Sequence, residues 1–261
     1  MKGKVDIEDA EDAERPRMDS VIAKVVASLE ILSRSDTPVG VSAVARALDL
    51  DKSNVHRIFN TLLDLGYVQK DDDTGRYSAT LKLWEQGSAI IGRHPIKRAG
   101  QPILRMLRQQ TNESPYLSVL QGMEVLYLDS LDAPYPLVAQ VTAGRRVPAH
   151  RTASGKAILA FQPDPATLLH QLPASVRDTL DIPALLKEFA LIRKRGFAVS
   201  TNASVMGMTA VAAPVLKRGA PPYIAVGVGG LSDRYDEKYI EQLSRAVLNS
   251  AVNISEIVGD A

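Results

Sequence analysis

The stretch from Val41 to Ser78 constrains the fold of this chain more than any other. Ser42 to Leu48 reads as a short helix, with Ser42 the residue type that caps a helix N-terminus. Asp49 and Leu50 make a turn, and aspartate tolerates the backbone conformations that a tight turn requires. Val55, Ile58, Phe59, Leu62 and Leu65 recur at helical spacing, which predicts a second helix over Asp51–Leu65 with these residues as its buried stripe. Gly66 follows at the position that commonly closes a helix. Lys52, Ser53, Asn54, His56, Arg57 and Asn60 fall outside the stripe, and they are donors and acceptors of the size that reaches base edges and phosphates. Tyr67–Lys70 and Arg76–Ser78 flank Asp71–Gly75 as a strand-turn-strand wing. A helix, turn, helix and wing in this order form a winged helix-turn-helix, and its expected partner is double-stranded DNA. Ser42 and Arg76 join the recognition-helix side chains as candidate contacts.

Charge qualifies that expectation. Formal net charge is only +1, and between Ser20 and Thr80 there are 7 Lys/Arg against 8 Asp/Glu. Positive charge concentrates instead in Lys82, Arg93, Lys97, Arg98, Arg105 and Arg108, opposed only by Glu85. That block offers phosphate contacts beside the reader, or simply a solvated helix face. Non-specific affinity is therefore modest, and a dimer is expected to supply the rest.

A chain of 261 residues has room for a second, larger domain. Residues 1–19 are charged and non-periodic and read as a disordered tail. Residues 20–80 form the reader, opened by a helix carrying Val21, Val25, Leu29 and Leu32. Leu81–His94 is an amphipathic linker helix, with Leu83, Trp84, Ile90 and Ile91 suited to packing between two subunits. Residues 95–261 are the larger domain. Pro95 starts a helix reaching about Gln110. Tyr116–Leu120 and Val125–Leu128 are strands around a Gly122 turn, Leu137–Val141 is another, and Gly144–Pro148 turns the chain. Thr152–Phe161 begins a helix with two possible caps, Thr152 and Ser154. Helices follow at Pro165–Leu172 and Pro183–Arg195, strands at Phe197–Val199, Thr209–Val215 and Tyr223–Val228, and a closing helix at Asp236–Val258. Strands mixed with helices at both ends imply an α+β domain around an antiparallel sheet.

Other chemistries find little support. Zero cysteines exclude disulfides, thiolate metal sites and thiol nucleophiles. The four histidines, His56, His94, His150 and His170, show no metal-ligand spacing. Thr152–Lys156 lacks the glycine and the following hydroxyl of a phosphate-binding loop, and Gly227–Gly230 lacks the third glycine of a dinucleotide fingerprint. His150 lies four residues before Ser154, but no nucleophile elbow surrounds the serine. No catalytic residue, metal or cofactor is expected. No apolar run reaches membrane-span length, and the first residues lack a signal peptide's apolar core, so a cytoplasmic protein is expected.

Three stretches carry a resemblance that covers nearly the whole chain. They are Lys52–Arg57 through Gly66–Val68, His150–Ala157, and Arg195–Ala198 with Gly207 and Ala212–Pro214. In this order and spacing the sequence resembles the IclR family of bacterial transcriptional regulators. The resemblance implies an N-terminal winged helix, a dimerising linker helix, and a C-terminal GAF-like domain that binds a small effector. It also implies a dimer or tetramer acting on a palindromic operator. Ala153, Ser154 and Gly155 match the place where backbone N–H groups hold an effector carboxylate, a role that a helix N-terminus suits on physical grounds. Ser154 has a second reading as the cap of its own helix.

The chain departs from the family elsewhere. Where the family commonly has acidic residues, a cysteine and serines, it has Ser200, Ala210, Gly227, Gly229 and Gly230. Small residues there imply a roomier, more apolar pocket for an aromatic or acyl acid, with Ser200, Ala210, Gly227 and Gly229 along the ligand. The competing reading has the glycines packed against a neighbouring helix. The expected function is a repressor relieved by a small organic acid. The rival is a small-molecule-binding protein or enzyme that uses its winged helix for protein contacts.

Overall fold

The computed structural model describes residues 20–136 and 141–259, in two compact units, Met1–Ile90 and Ile91–Ala261. The expected tail at 1–19 and most of the expected strand at 137–141 lie outside the described residues.

The first unit holds helices α1 (Val21–Arg34), α2 (Val41–Leu48) and α3 (Lys52–Asp64), then strands β1 (Val68–Lys70) and β2 (Tyr77–Ala79). Ser20 caps α1, its hydroxyl accepting the Ala23 N–H at 3.1 Å. Asp49 takes left-handed backbone (φ 51°) at the end of α2, and Gly66 does so (φ 73°) after α3. The wing strands pair antiparallel with Lys70 opposite Tyr77, and Asp71 Oδ1 fixes the turn by accepting from the Thr74 N–H and hydroxyl. Leu32, Val44, Val55, Ile58, Phe59, Leu62, Val68 and Tyr77 make one core, in which the rings of Phe59 and Tyr77 stand 4.5 Å apart. Helix α4 (Lys82–Gly92) has no buried residue. Its start is tied to the wing, because Lys82 Nζ donates to the Leu65 carbonyl at 2.6 Å and Gln86 to the Tyr67 hydroxyl at 2.7 Å.

Two local expectations fail here. Ser42 does not cap α2; Gly40 occupies that position and makes no side-chain bond. Val39 bridges to Tyr77 by two backbone bonds, so the chain stays extended through Gly40 and Ser42 lands inside the first turn. Leu65 does not join the buried stripe: α3 ends one residue earlier, and Leu65 is 53% exposed as the chain turns toward Gly66.

The second unit opens with α5 (Pro95–Thr111), β3 (Ser114–Gln121), β4 (Glu124–Ser130) and β5 (Arg146–Pro148). It continues through α6 (Ala153–Ala160), α7 (Pro165–His170), α8 (Ala174–Arg177) and α9 (Ile182–Arg195). Strands β6 (Ala198–Thr201), β7 (Met208–Pro214) and β8 (Ile224–Leu231) precede the long α10 (Glu237–Gly259). Six strands form one antiparallel sheet in the order β5-β4-β3-β8-β7-β6. Alternation along β7 separates its two faces. Val211, Ala213 and Val215 join Leu104, Leu107, Leu243, Val247 and Ile254 beneath α5 and α10. Ala210 and Ala212 join Ala157, Leu159, Phe189 and Ile192 beneath α6 and α9. The expected α+β class with an antiparallel sheet is the observed one. Short β5, where only a turn is expected, and α8 are additions.

Candidate nucleic-acid interface and ligand pocket

Helix α3 is one-sided. Val55, Ile58, Phe59 and Leu62 are buried, while Lys52, Ser53, His56, Arg57 and Asn60 are exposed and Asn54 is half-buried. Ser42 on α2 and Arg76 beside the wing are also exposed. Among the described residues, Lys52, Arg57 and Arg76 enter no ion pair, so their charges stay available to a phosphate or a base edge. The downstream basic block differs. Lys82 is spent on Leu65 and on the Tyr67 ring, 4.8 Å away. Lys97 pairs with Asp129 at 3.6 Å, and Arg108 Nε donates to the Asp132 carbonyl at 2.6 Å. Lys82, Lys97 and Arg108 therefore serve the fold itself.

The second unit holds a partly open cavity of about 80 Å³ over the α6 face of the sheet. Tyr116 and Tyr127 meet edge-to-face in its wall, ring centroids 5.4 Å apart. Val147, Met208 and Ala210 supply apolar wall, Thr152, Ser200 and Thr209 supply polar groups, and Arg145 brings a cation. Burial pushes the Tyr116 phenol well above the ordinary tyrosine range, with Tyr127 adding to it, and raises that of Tyr127 against the opposing charge of Arg145, so both stay neutral.

At one end of the cavity α6 begins. Thr152 is its cap, its Oγ1 accepting the Gly155 N–H at 2.9 Å, and the Lys156 N–H goes to the Thr152 carbonyl at 3.0 Å. This corrects Ser154 as the cap: it is the second residue of the helix, and its fully buried Oγ has no hydrogen-bond partner among the described residues. It also corrects Gly155 as a ligand donor, since its N–H is already taken. A Cβ on Gly155 would lie 2.1 Å from the Ala149 carbonyl oxygen, so this glycine lets α6 pack against the preceding turn. Ala153 and Ser154 keep the N–H groups that a first helical turn leaves unpaired.

Of the remaining expected ligand residues, Ala153, Ser200, Ala210 and Gly229 line the cavity. Gly227 does not, because Tyr116, its cross-strand partner, lies over it: a Cβ there would come 2.6 Å from the tyrosine hydroxyl. Gly230 makes room for the buried carboxylate of Glu113, which takes two bonds from Arg234 at 3.1 and 2.7 Å. The extra volume expected at Gly227 and Gly230 is thus filled by Tyr116 and by Glu113, while Gly229 keeps its place in the cavity wall. The competing expectation of packing against a helix misses the partner as well. Sequence reasoning missed Tyr116, Tyr127 and Arg145. The one local trace was the strand alternation around Tyr116, which marks it as facing a layer without saying which.

Among the described residues, no group of three or more His, Asp or Glu side chains is placed to hold a metal ion, and no helix is long and apolar enough to cross a membrane.

A one-sided recognition helix with a wing, followed by an antiparallel sheet that cradles a pocket, defines a ligand-binding regulator of the helix-turn-helix class. Residues 21–72 match the IclR helix-turn-helix domain, and residues 88–256 match the C-terminal domain of bacterial transcriptional regulators of the IclR type. The chain belongs to the IclR family and is a DNA-binding transcriptional regulator. Among its relatives is one from Cupriavidus necator named probable transcriptional regulator SauR, 32% identical over 77% of this chain and 81% of that protein. The transcriptional repressor IclR of Escherichia coli is 25% identical over 88% of this chain and 87% of its own length. A solved IclR homologue from Microbacterium hydrocarbonoxydans, in complex with 4-hydroxybenzoate, superposes with a TM-score of 0.73 at 24% identity, covering 93% of this chain and all 100% of that one.

Proposed function

We propose that the chain is a cytoplasmic repressor whose hold on a palindromic operator is released by a small organic acid. Residues 20–80 read the DNA, 81–94 join two copies, and 95–261 take the effector. The observation that carries this reading is the cavity between the Tyr116–Tyr127 wall and the start of α6. Unpaired amides at Ala153 and Ser154 suit a carboxylate, and Arg145 adds charge of the matching sign. The aromatic walls suit a planar, mostly apolar body. Binding of 4-hydroxybenzoate by a protein of the same fold supports an aromatic acid.

Trp84, Ile90 and Leu81 are 69%, 66% and 75% exposed, which supports the linker helix as the surface that pairs two readers. The rival reading, a winged helix used for protein contacts, is disfavoured by the family to which the chain belongs.

The test is fluorescence anisotropy with DNA flanking the protein's own coding region, titrated with benzoates and short oxoacids. At least one acid is expected to weaken DNA binding, and Trp84→Glu to lower both the oligomer mass and the affinity. Acids that bind without changing DNA affinity, or a wild type that stays monomeric when bound to DNA, overturn the reading.

A further inference from the structure

Two hydroxyl groups stand side by side at the end of this pocket, and one of them has hydrogen-bonding capacity that the fold leaves unused. Tyr116 pairs across strands with Gly227 and lies so close above it that any side chain there would displace the ring. Its ring meets Tyr127 edge-to-face at 86°. Held between these two, the phenol is fixed in the cavity wall with its hydroxyl beside Ser154. Ser154 is its neighbour, fully buried on α6, with an Oγ that lacks a partner among the described residues. An unpaired buried hydroxyl is costly, and one that stands beside a phenol in a pocket wall points to a hydrogen-bonded chain that a third group completes.

Resting on the reading that this cavity takes an organic acid, we propose that Ser154 and Tyr116 form a two-hydroxyl relay that selects it. Ser154 Oγ–H donates to the Tyr116 oxygen, and Tyr116 O–H donates to one carboxylate oxygen of the effector. The other carboxylate oxygen faces the amides of Ala153 and Ser154. Burial keeps the phenol protonated, so it meets the carboxylate as a donor and never as a second anion. Hydroxyls in series polarise one another, so the terminal O–H binds an anion better than an isolated phenol. A neutral amide of the same shape draws far less from such a donor, because charge-assisted bonds are the strong ones. In this arrangement Tyr116, seated on Gly227, is the residue that distinguishes acids from their neutral isosteres, and Ser154 acts through it as a positioning residue.

Calorimetry on the full chain tests the relay, with benzoate, 4-hydroxybenzoate and pyruvate as probes and benzamide as the neutral control. Tyr116→Phe is expected to weaken the best-bound acid by about 10- to 100-fold while weakening benzamide by no more than about 3-fold. Ser154→Ala is expected to cost about 3- to 10-fold alone and nothing further in the Tyr116→Phe background, because the relay is already cut. Additive losses, or equal losses for acid and amide, overturn the relay. If Tyr116→Phe fails to fold, the acid-to-amide ratio of Ser154→Ala decides alone. Acids bound equally by wild type and Tyr116→Phe sink the relay and leave the proposed function standing. A wild type that binds none of the acids removes the reading beneath it.

Discussion

Helices α3 and α6 are both short, both stand where we propose an anion binds, and they are built on opposite plans. Helix α3 buries Val55, Ile58, Phe59 and Leu62 and turns long polar side chains outward. Helix α6 buries seven of its eight residues and keeps almost no side chain free. The first offers side chains that reach into a groove; the second offers backbone amides in a packed wall. Substitution on the outward face of α3 is therefore expected to change recognition and spare the fold. Around α6 the same kind of change strikes the fold first.

The largest expected effect tests that division. On α6, Gly155→Ala places a methyl 2.1 Å from the carbonyl oxygen and 2.4 Å from the Cα of Ala149, both backbone atoms that cannot swing away. The loss should reach or exceed the upper end of the ~1–3 kcal/mol that overpacking costs. On α3, Ser53→Ala is expected to stay within about 0.5 kcal/mol, as exposed substitutions do. Urea denaturation of both variants checks the pair. Similar midpoints for the two would erase the contrast.

The same contrast explains what was legible in the sequence. A one-sided helix writes its period into the chain, so α3, its turn and its wing could be read from spacing and from Gly66. Only the ends slipped. Leu65 lost its place because a carbonyl-tethered Lys82 and the turn at Gly66 pull the chain off the helix axis. Ser42 lost its cap because the Val39–Tyr77 bridge, a contact 38 residues apart in sequence, fixes where α2 starts. Around the pocket, identity depended on such distant partners throughout. Nothing near Gly227 announces that Tyr116 covers it, nor anything near Gly230 that Glu113 fills its space. Small residues in a strand say that something approaches closely; the sheet's register decides what.

A second, smaller effect probes the outward plan directly. Arg57 is exposed on α3 and free of ion pairs among the described residues. Arg57→Ala should weaken operator binding by about 1–3 kcal/mol and relax specificity if the guanidinium reads a base. If it touches only phosphate, specificity survives and the salt slope falls by about 0.9. Anisotropy at several salt concentrations separates these outcomes. Unchanged affinity at every salt concentration, in a folded variant, removes Arg57 from the interface.

The smallest effect concerns protons, and it again divides the two helices. His56 is exposed on α3, whereas His150 is buried in the turn just before α6, its Nδ1 without a partner among the described residues. Burial, reinforced by the nearby charges of Arg151 and Lys156, holds the His150 imidazole below the ordinary value of 6.5. The folded state therefore prefers it neutral, while the unfolded chain takes up its proton as pH falls through 6.5. Between that value and the lower folded one, the unfolded state binds more protons, so stability is full above 6.5 and declines as pH drops below it. Urea midpoints at about pH 7.5 and about pH 5.5, followed by tyrosine near-ultraviolet dichroism, should show this decline in the wild type. Carboxylates contribute to the acid limb as well, so the informative quantity is the difference between wild type and His150→Gln. The variant should be flatter across that interval. A slope identical to the wild type would mean that the packing around α6 tolerates the charged ring, and that its shoulder is wetter than the burial of His150 implies.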